Sequence, residues 1–438
     1  MEGREGETSA HSPVNIAGGS SVLFAAKLLS SLGFLFTTLL IAKAVGVAGS
    51  GAYRFLSVAA LIAGQFAQIG LPLVAPLLVA RHHGRERDLL TTLVGTSLAF
   101  GLGSALLTTV ALIVYGTSAI SLAVVAVSAV MIGIGETVQG FGQGLGRFRE
   151  YSIVTVIAPW LYGLLLAVFW YYDSLTLRVA LVLYAVEWAA WALGQLYVAS
   201  RMTGFGRFDR VLAREAFALG WRALVGSLSL FLNNRVDQIL LNLFKGNRAG
   251  GIYGLAVNVA EILLYLPRVV GIVLVPAIAR TDADNRRTTA VRLFRVILVI
   301  TAIGGIVALL VGPPLIPFVL PAFHPSVEPF VWLVPGALGF VAMNVFSGAL
   351  IAEHRPADAS YAAIVALGAG VALDLVLIPL YGATGAAVAA TFAFFAGGVA
   401  SIALYRRVAP FPLGELLPRP ADFGEVLALA RRLRARTT

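Results

Sequence analysis

Residues 233–238 read Asn-Asn-Arg-Val-Asp-Gln, five polar side chains in six positions, inside an apolar run over 215–244. Arg235 has the chemistry of a phosphate- or carboxylate-pairing group, because its planar guanidinium presents parallel N–H donors to two oxygens. In the next apolar run Glu261 and Arg268 are seven residues apart, which on a helix puts them on one side, two turns distant. Pro267 precedes Arg268 and loosens the helix there, freeing carbonyls that only a polar cavity tolerates. Two arrangements satisfy this set. One is a salt-bridge network that locks two helices together. The other is a cavity in which Asn233, Asn234, Arg235, Asp237, Gln238 and Arg268 meet a polar, anionic ligand. Lys27 and Arg54 lie toward the ends of their runs, where snorkelling explains them as well as membership of that cavity does.

The acidic residues Glu136, Glu187, Glu261 and Asp374 are the candidates for relaying a proton or binding a cation, with H+ and Na+ both open. Asp374 lies near the end of its run, within reach of water. His324 and Glu328 are four residues apart, and a solvated helix N-terminus explains them more simply than a catalytic pair. The chain has no cysteine, so no disulfide, thiolate metal site or cysteine nucleophile exists. Nothing in the spacing indicates a metal or an organic cofactor, and no enzymatic activity is expected.

The elements that must hold these groups are membrane spans. Hydrophobic residues make up 59% of the chain and charged ones 12%, against roughly 45–50% and 25% in soluble domains. Twelve runs of bilayer length are separated by polar or glycine-rich breaks. They cover 20–44, 52–80, 89–115, 118–143, 152–172, 176–199, 215–244, 251–279, 290–312, 326–352, 359–380 and 383–405. The first is too long for a signal-peptide core and contains Lys27, so it reads as retained. Of the 32 Lys and Arg residues, 22 fall on the side of both termini and the loops after even-numbered spans, four fall on the opposite side, and six lie inside spans. That asymmetry places both termini in the cytoplasm and accounts for the net charge of +10 without nucleic acid. Lys27, Arg222 and Arg295 then lie within two turns of the cytoplasmic surface. The tail from Asp422 to Arg436 reads as a basic amphipathic helix with Asp422 as its N-cap and Val426, Leu429 and Leu433 as its apolar stripe.

An offset of 200 superimposes Gly51-Ala52-Tyr53 on Gly251-Ile252-Tyr253, Ala60 on Ala260 and Pro76 on Pro276. Both copies occupy the second span of a half. Each half has an even number of spans, so the repeats are parallel, an arrangement suited to two bundles rocking about a shared cavity. The expected organisation is an N-terminal tail (1–19), a six-helix bundle (20–199), a linker (200–214), a second bundle (215–405) and a basic tail (406–438). Prolines 72, 76, 267 and 276 are the candidate flexing points of the paired second and eighth spans.

The run Asn-Arg-Val-Asp-Gln-Ile-Leu-Leu at 234–241 resembles the start of the second half of polysaccharide and O-antigen flippases. The tract 372–390, with Leu-Ile-Pro-Leu-Tyr-Gly-Ala-Thr-Gly-Ala-Ala, resembles their junction between the eleventh and twelfth spans. That resemblance implies the multidrug/oligosaccharidyl-lipid/polysaccharide exporter superfamily: an all-α polytopic protein with two parallel six-helix bundles forming a V. It implies a basic central cavity for the diphosphate and sugars of a polyprenyl-linked oligosaccharide, translocated by alternating access while the lipid tail stays in the bilayer. A monomer in the plasma membrane is expected. The first span offers Thr37 and Thr38 as partners for Asp237 and Gln238 and contains no acidic residue, unlike many drug-exporting relatives. A cation-coupled exporter of drugs or other small molecules is the alternative, and a glycosyltransferase or glycan polymerase is the third reading.

Overall fold

The computed structural model describes residues 16–279 and 283–420 with Asp422 and Gly424, and their side chains except at 16–28, 31, 265–279 and 283–284. In a bilayer each backbone N–H and C=O must be satisfied within its own segment, so apolar runs of this length become helices. They are α1 (Ile16–Gln68), α2 (Leu71–Arg81), α3 (Glu86–Val114), α4 (Ala119–Gly144), α5 (Phe148–Tyr171), α6 (Leu177–Thr203), α7 (Arg210–Leu232), α8 (Val236–Ala279), α9 (Ala283–Val319), α10 (Val327–Ala352) and α11 (Pro356–Val408). The stretches Leu32–Arg81 and Pro356–Val408 are 50 and 53 residues long, where one crossing needs about 20. Each crosses twice. The reversals fall at Gly46 in α1, Gly246 in α8 and Gly382 in α11, with φ of 67°, 77° and 59°, a region only glycine enters freely. Gly46 and Gly246 are again 200 residues apart, so the repeat extends from the second span of each half back to the hairpin before it. The protein is a multi-pass, all-helical membrane protein, and its outward face is apolar, as at Leu107, Val114 and Phe318.

Two breaks were not expected. The second span is interrupted at Ile69 and Gly70, both at positive φ. Pro72 follows in the first turn of α2, where its missing N–H costs nothing. The break in this span therefore lies upstream of Pro72 and Pro76. Pro267 and Pro276 lie where side chains are outside the described residues. The seventh span is also in two pieces, because α7 stops at Leu232 and α8 starts at Val236, leaving Asn233, Asn234 and Arg235 as a turn. Asparagine side chains compete for backbone hydrogen bonds, and Asn234 Nδ2 takes the Leu230 carbonyl at 2.7 Å.

The halves meet mainly through α1 against α8 and α2 against α7. On the face poor in Lys and Arg, a Cβ on Gly51 would strike the Asn247 carbonyl, and one on Gly251 would strike the Val47 carbonyl. These are reciprocal contacts at the 200-residue offset. On the Arg-rich face, α2 and α7 cross backbone to backbone at Gly70 and Gly220. There Glu215 accepts from Arg81 at 3.3 Å and pairs with His82 at 2.8 Å. The connection between the halves is tied to the loop before α3. Arg85 bonds Asp209 at 2.7 Å, the Arg207 N–H bonds Asp88, and the Gly206 N–H reaches the Arg87 carbonyl.

Arg295 does not snorkel. It is buried, donating to Asp422 at 2.9 Å and to the Glu415 carbonyl, and so holds the segment after α11 against α9. Asp422 also accepts from the Arg419 N–H three residues before it, and the expected N-cap bonds involve residues outside the described ones. The amphipathic helix expected beyond it lies outside the described residues. Arg222 is exposed, as snorkelling requires.

Candidate functional site

The break between α7 and α8 turns its polar side chains toward the interface of the halves. Arg235 pairs with Glu261 at 3.2 Å, across one helical break. Arg54, from the second span, donates its Nε to Gln238 Oε1 at 2.9 Å and lies within electrostatic reach of Arg235, Glu261 and Asp237. Arg54 therefore belongs to the interface and not to the membrane surface. Its place is made by the repeat itself: the equivalent position in the second half is Gly254, and a Cβ there would strike the Arg54 Cδ and Nε. Asp237 accepts a short hydrogen bond from Tyr253, and its other oxygen takes the Gln238 N–H at 2.8 Å.

Thr37 and Thr38 do not serve Asp237 and Gln238. Both hydroxyls donate to the Phe34 carbonyl, and Thr38 Oγ1 accepts from Asn258 Nδ2 at 3.1 Å. Asn242 Nδ2 reaches the Gly51 carbonyl at 3.3 Å, adding a third polar tie across the interface. Asn233 is buried with an unpartnered Nδ2. Asp374 is 2% exposed, so it is not hydrated through the end of its span. It has an unpartnered Oδ1 and lies within electrostatic reach of Asp237 and Tyr253. The Arg268 and Lys27 side chains lie outside the described residues.

Of the residues predicted to line one cavity, the structure thus brings together Arg54, Arg235, Asp237 and Gln238, with Asn233 and Asn234 on the same turn, and it adds Glu261, which was expected as an ion-coupling candidate. Sequence reasoning passed over Tyr253 and Asn258 as site residues. Tyr253 had appeared only as a landmark of the repeat, and its offset partner Tyr53 does a parallel job by bonding Tyr162 in the first half at 2.9 Å. Glu136 and Glu187 are elsewhere, in a cavity among α1, α4, α5 and α6.

Two small cavities flank the central cluster. One, of about 30 Å3, is lined by Asn233, Asp237, Tyr253 and Glu261, and the other, of about 40 Å3, by Thr38, Tyr53, Arg54 and Asn258. Small-ligand sites are roughly 300–1,000 Å3. Neither cavity reaches that volume, so the halves are closed on each other here.

A broken seventh span beside a charged, closable interface between two parallel halves defines a membrane transporter class. Within it, the chain belongs to the polysaccharide biosynthesis protein family, whose pattern matches residues 16–282. No curated protein sequence matches the chain. Among solved structures it is similar to the lipid II flippase MurJ in an inward closed conformation, with TM-score 0.76 and 15% identity over 90% of this chain and 89% of that one. It is also similar to a multidrug resistance MATE family transporter of the MOP superfamily in an inward-facing conformation, with TM-score 0.64 and 11% identity over 92% and 96%. A MOP superfamily transporter from Pyrococcus furiosus gives TM-score 0.59 and 12% identity over 90% and 95%. At these identities the likeness is one of fold.

Proposed function

We propose that this protein flips a polyprenyl-diphosphate oligosaccharide across the plasma membrane by alternating access, with both termini in the cytoplasm. The observation that carries the reading is the Arg54–Arg235 pair at the interface, held in the closed state by Gln238 and Glu261. A diphosphate offers oxygens that replace both partners, and guanidinium groups bind such oxygens in bidentate fashion. Glu261 is then the internal stand-in for substrate: it neutralises Arg235 when the site is empty and yields it when the head group arrives. A buried Arg without a counter-ion would be costly in the bilayer, which explains why Glu261 sits beside Arg235. Asp374, buried with an unpartnered Oδ1, lies within electrostatic reach of Asp237, and we assign ion coupling in the second half to that pair.

The test is competition between Glu261 and the substrate. Glu261→Gln keeps a hydrogen-bond acceptor and removes the charge. The purified variant should bind a fluorescent polyprenyl-diphosphate oligosaccharide more tightly than the wild type, while Arg235→Ala loses roughly 10- to 150-fold, the equivalent of a charged hydrogen bond of about 1.5–3 kcal/mol. Unchanged binding in both variants, with saturable binding of cationic dyes, would move the assignment to a small-molecule exporter.

A further inference from the structure

The first half contains a second polar interior that the central site does not use. Between α1, α4, α5 and α6 lies a cavity of about 100 Å3 lined by Ser30, Glu136, Gln139, Thr155, Glu187 and Trp191, among others. One water needs at least about 10–15 Å3 of such volume, so the cavity has room for water. Pro159 has no N–H, so the Thr155 carbonyl one turn earlier is released from the helix, and Ser30 Oγ donates to it at 2.9 Å. The Thr155 hydroxyl accepts from Gln139, Gln195 and Trp191 at 3.2, 3.1 and 3.4 Å. Glu187 faces this interior at 7% exposure. Its Oε2 has no hydrogen-bond partner, and among the described residues it forms no ion pair.

An unpaired carboxylate inside a lipid-embedded bundle costs several kcal/mol, and binding a proton removes that cost. The surroundings select a proton over a metal ion: the released carbonyl is already taken by Ser30, and the Thr155 hydroxyl gathers N–H donors, leaving few free oxygens for the six or so that a hard cation takes. We propose that Glu187 is a proton-binding site of the N-terminal half, exchanging with solvent through the waters of this cavity. Uptake forms one O–H bond on the Glu187 carboxylate with a proton delivered by cavity water, and release returns that proton to water. Glu136 on α4 lines the same cavity. The other titratable groups facing Glu187 are Tyr53 of α1, Tyr162 of α5 and Tyr184 of α6. Lys27 belongs to α1 about one turn before Ser30, with its side chain outside the described residues.

The site is wired to the interface. Tyr184, one turn before Glu187, donates to the Ser57 carbonyl at 3.3 Å, and Ser57 Oγ donates to the Arg54 carbonyl at 3.0 Å. Protonation at Glu187 therefore acts on the segment of α1 that carries Arg54, which couples it to transport. That coupling rests on the transporter reading above, whereas the proton site does not.

The two are separated by measuring the site without substrate. Infrared difference spectra of the purified full-length protein, recorded across a pH titration, should contain a protonated-carboxyl C=O band that is missing in Glu187→Gln and retained in Asp374→Asn. Retention of the full band in Glu187→Gln, or its displacement by Na+ at constant pH, would overturn the proposal. In proteoliposomes, a pH gradient should accelerate wild-type transport, and Glu187→Gln should keep the gradient-free rate and lose the acceleration. Equal acceleration in the variant would overturn the coupling. Tryptophan emission from Trp188 and Trp191 reports whether the variant keeps its packing.

Discussion

At the residue scale, three charges of the central site are tolerated inside the bilayer because each has a specific polar partner. Arg235 rests on Glu261, Arg54 on Gln238 and Asp237 on Tyr253. The sequence showed Arg54, Arg235, Asp237, Gln238 and Glu261 but passed over Tyr253 as a site residue. It did not show the pairings, because helix periodicity relates residues on one helix while these contacts cross between helices or across a break. Glu261 illustrates the point: its seven-residue spacing directed attention to Arg268, whereas its charge partner comes from the turn before α8. Arg54 also depends on an absence, the missing side chain of Gly254. Gly254→Leu should therefore behave like Arg54→Ala, losing substrate binding by roughly tenfold or more as one charged hydrogen bond is broken, with little change in membrane insertion. Full activity in Gly254→Leu beside an inactive Arg54→Ala would place the Arg54 role outside the interface.

At the element scale, the span pattern was legible because backbone satisfaction in lipid leaves helices as the only solution for single spans. The reversal at Gly382 falls between the runs 359–380 and 383–405, where the sequence places a span junction. Gly46 and Gly246, which turn their hairpins in the same way, fall in the breaks between runs but were not singled out from the sequence. The breaks at Ile69–Gly70 and at 233–235 were not legible, since both lie inside apolar runs whose hydropathy continues across them. They are also the places where the halves touch. Gly251→Val should wedge the contact with Val47 apart and hold the Arg-poor face open. Spin labels on Lys43→Cys and Lys245→Cys, practical because the chain has no native cysteine, should then report a longer distance than in the wild type. An unchanged distance would mean that this contact does not gate the face. On the other face, Arg85 and the Val211 N–H hold Asp209 below the usual carboxylate range. A depressed carboxyl contributes stability above its ordinary range and loses it as pH falls through the lowered value. Amide exchange at Val211 and Leu212 should accordingly accelerate only at pH below the usual carboxylate range, and acceleration already near neutrality would contradict the Asp209 cap.

At the scale of the whole molecule, a charged interface closed on both faces links fold to function. α1 against α8 seals one face and α2 against α7 the other, with Arg54 and Arg235 between them. Opening either seal exposes the arginines to one side alone, which is what alternating access requires. The family match and the flippase and exporter folds agree with this architecture. In the proposed reading an anionic head group takes the place of Glu261 on Arg235. The most direct test is translocation of a fluorescent polyprenyl-diphosphate oligosaccharide in proteoliposomes containing the purified chain. The account predicts movement faster than in empty vesicles and its loss in folded Arg235→Ala. Wild-type movement that persists undiminished in Arg235→Ala, or gradient-driven efflux of cationic dyes with no movement of the glycolipid, would contradict it.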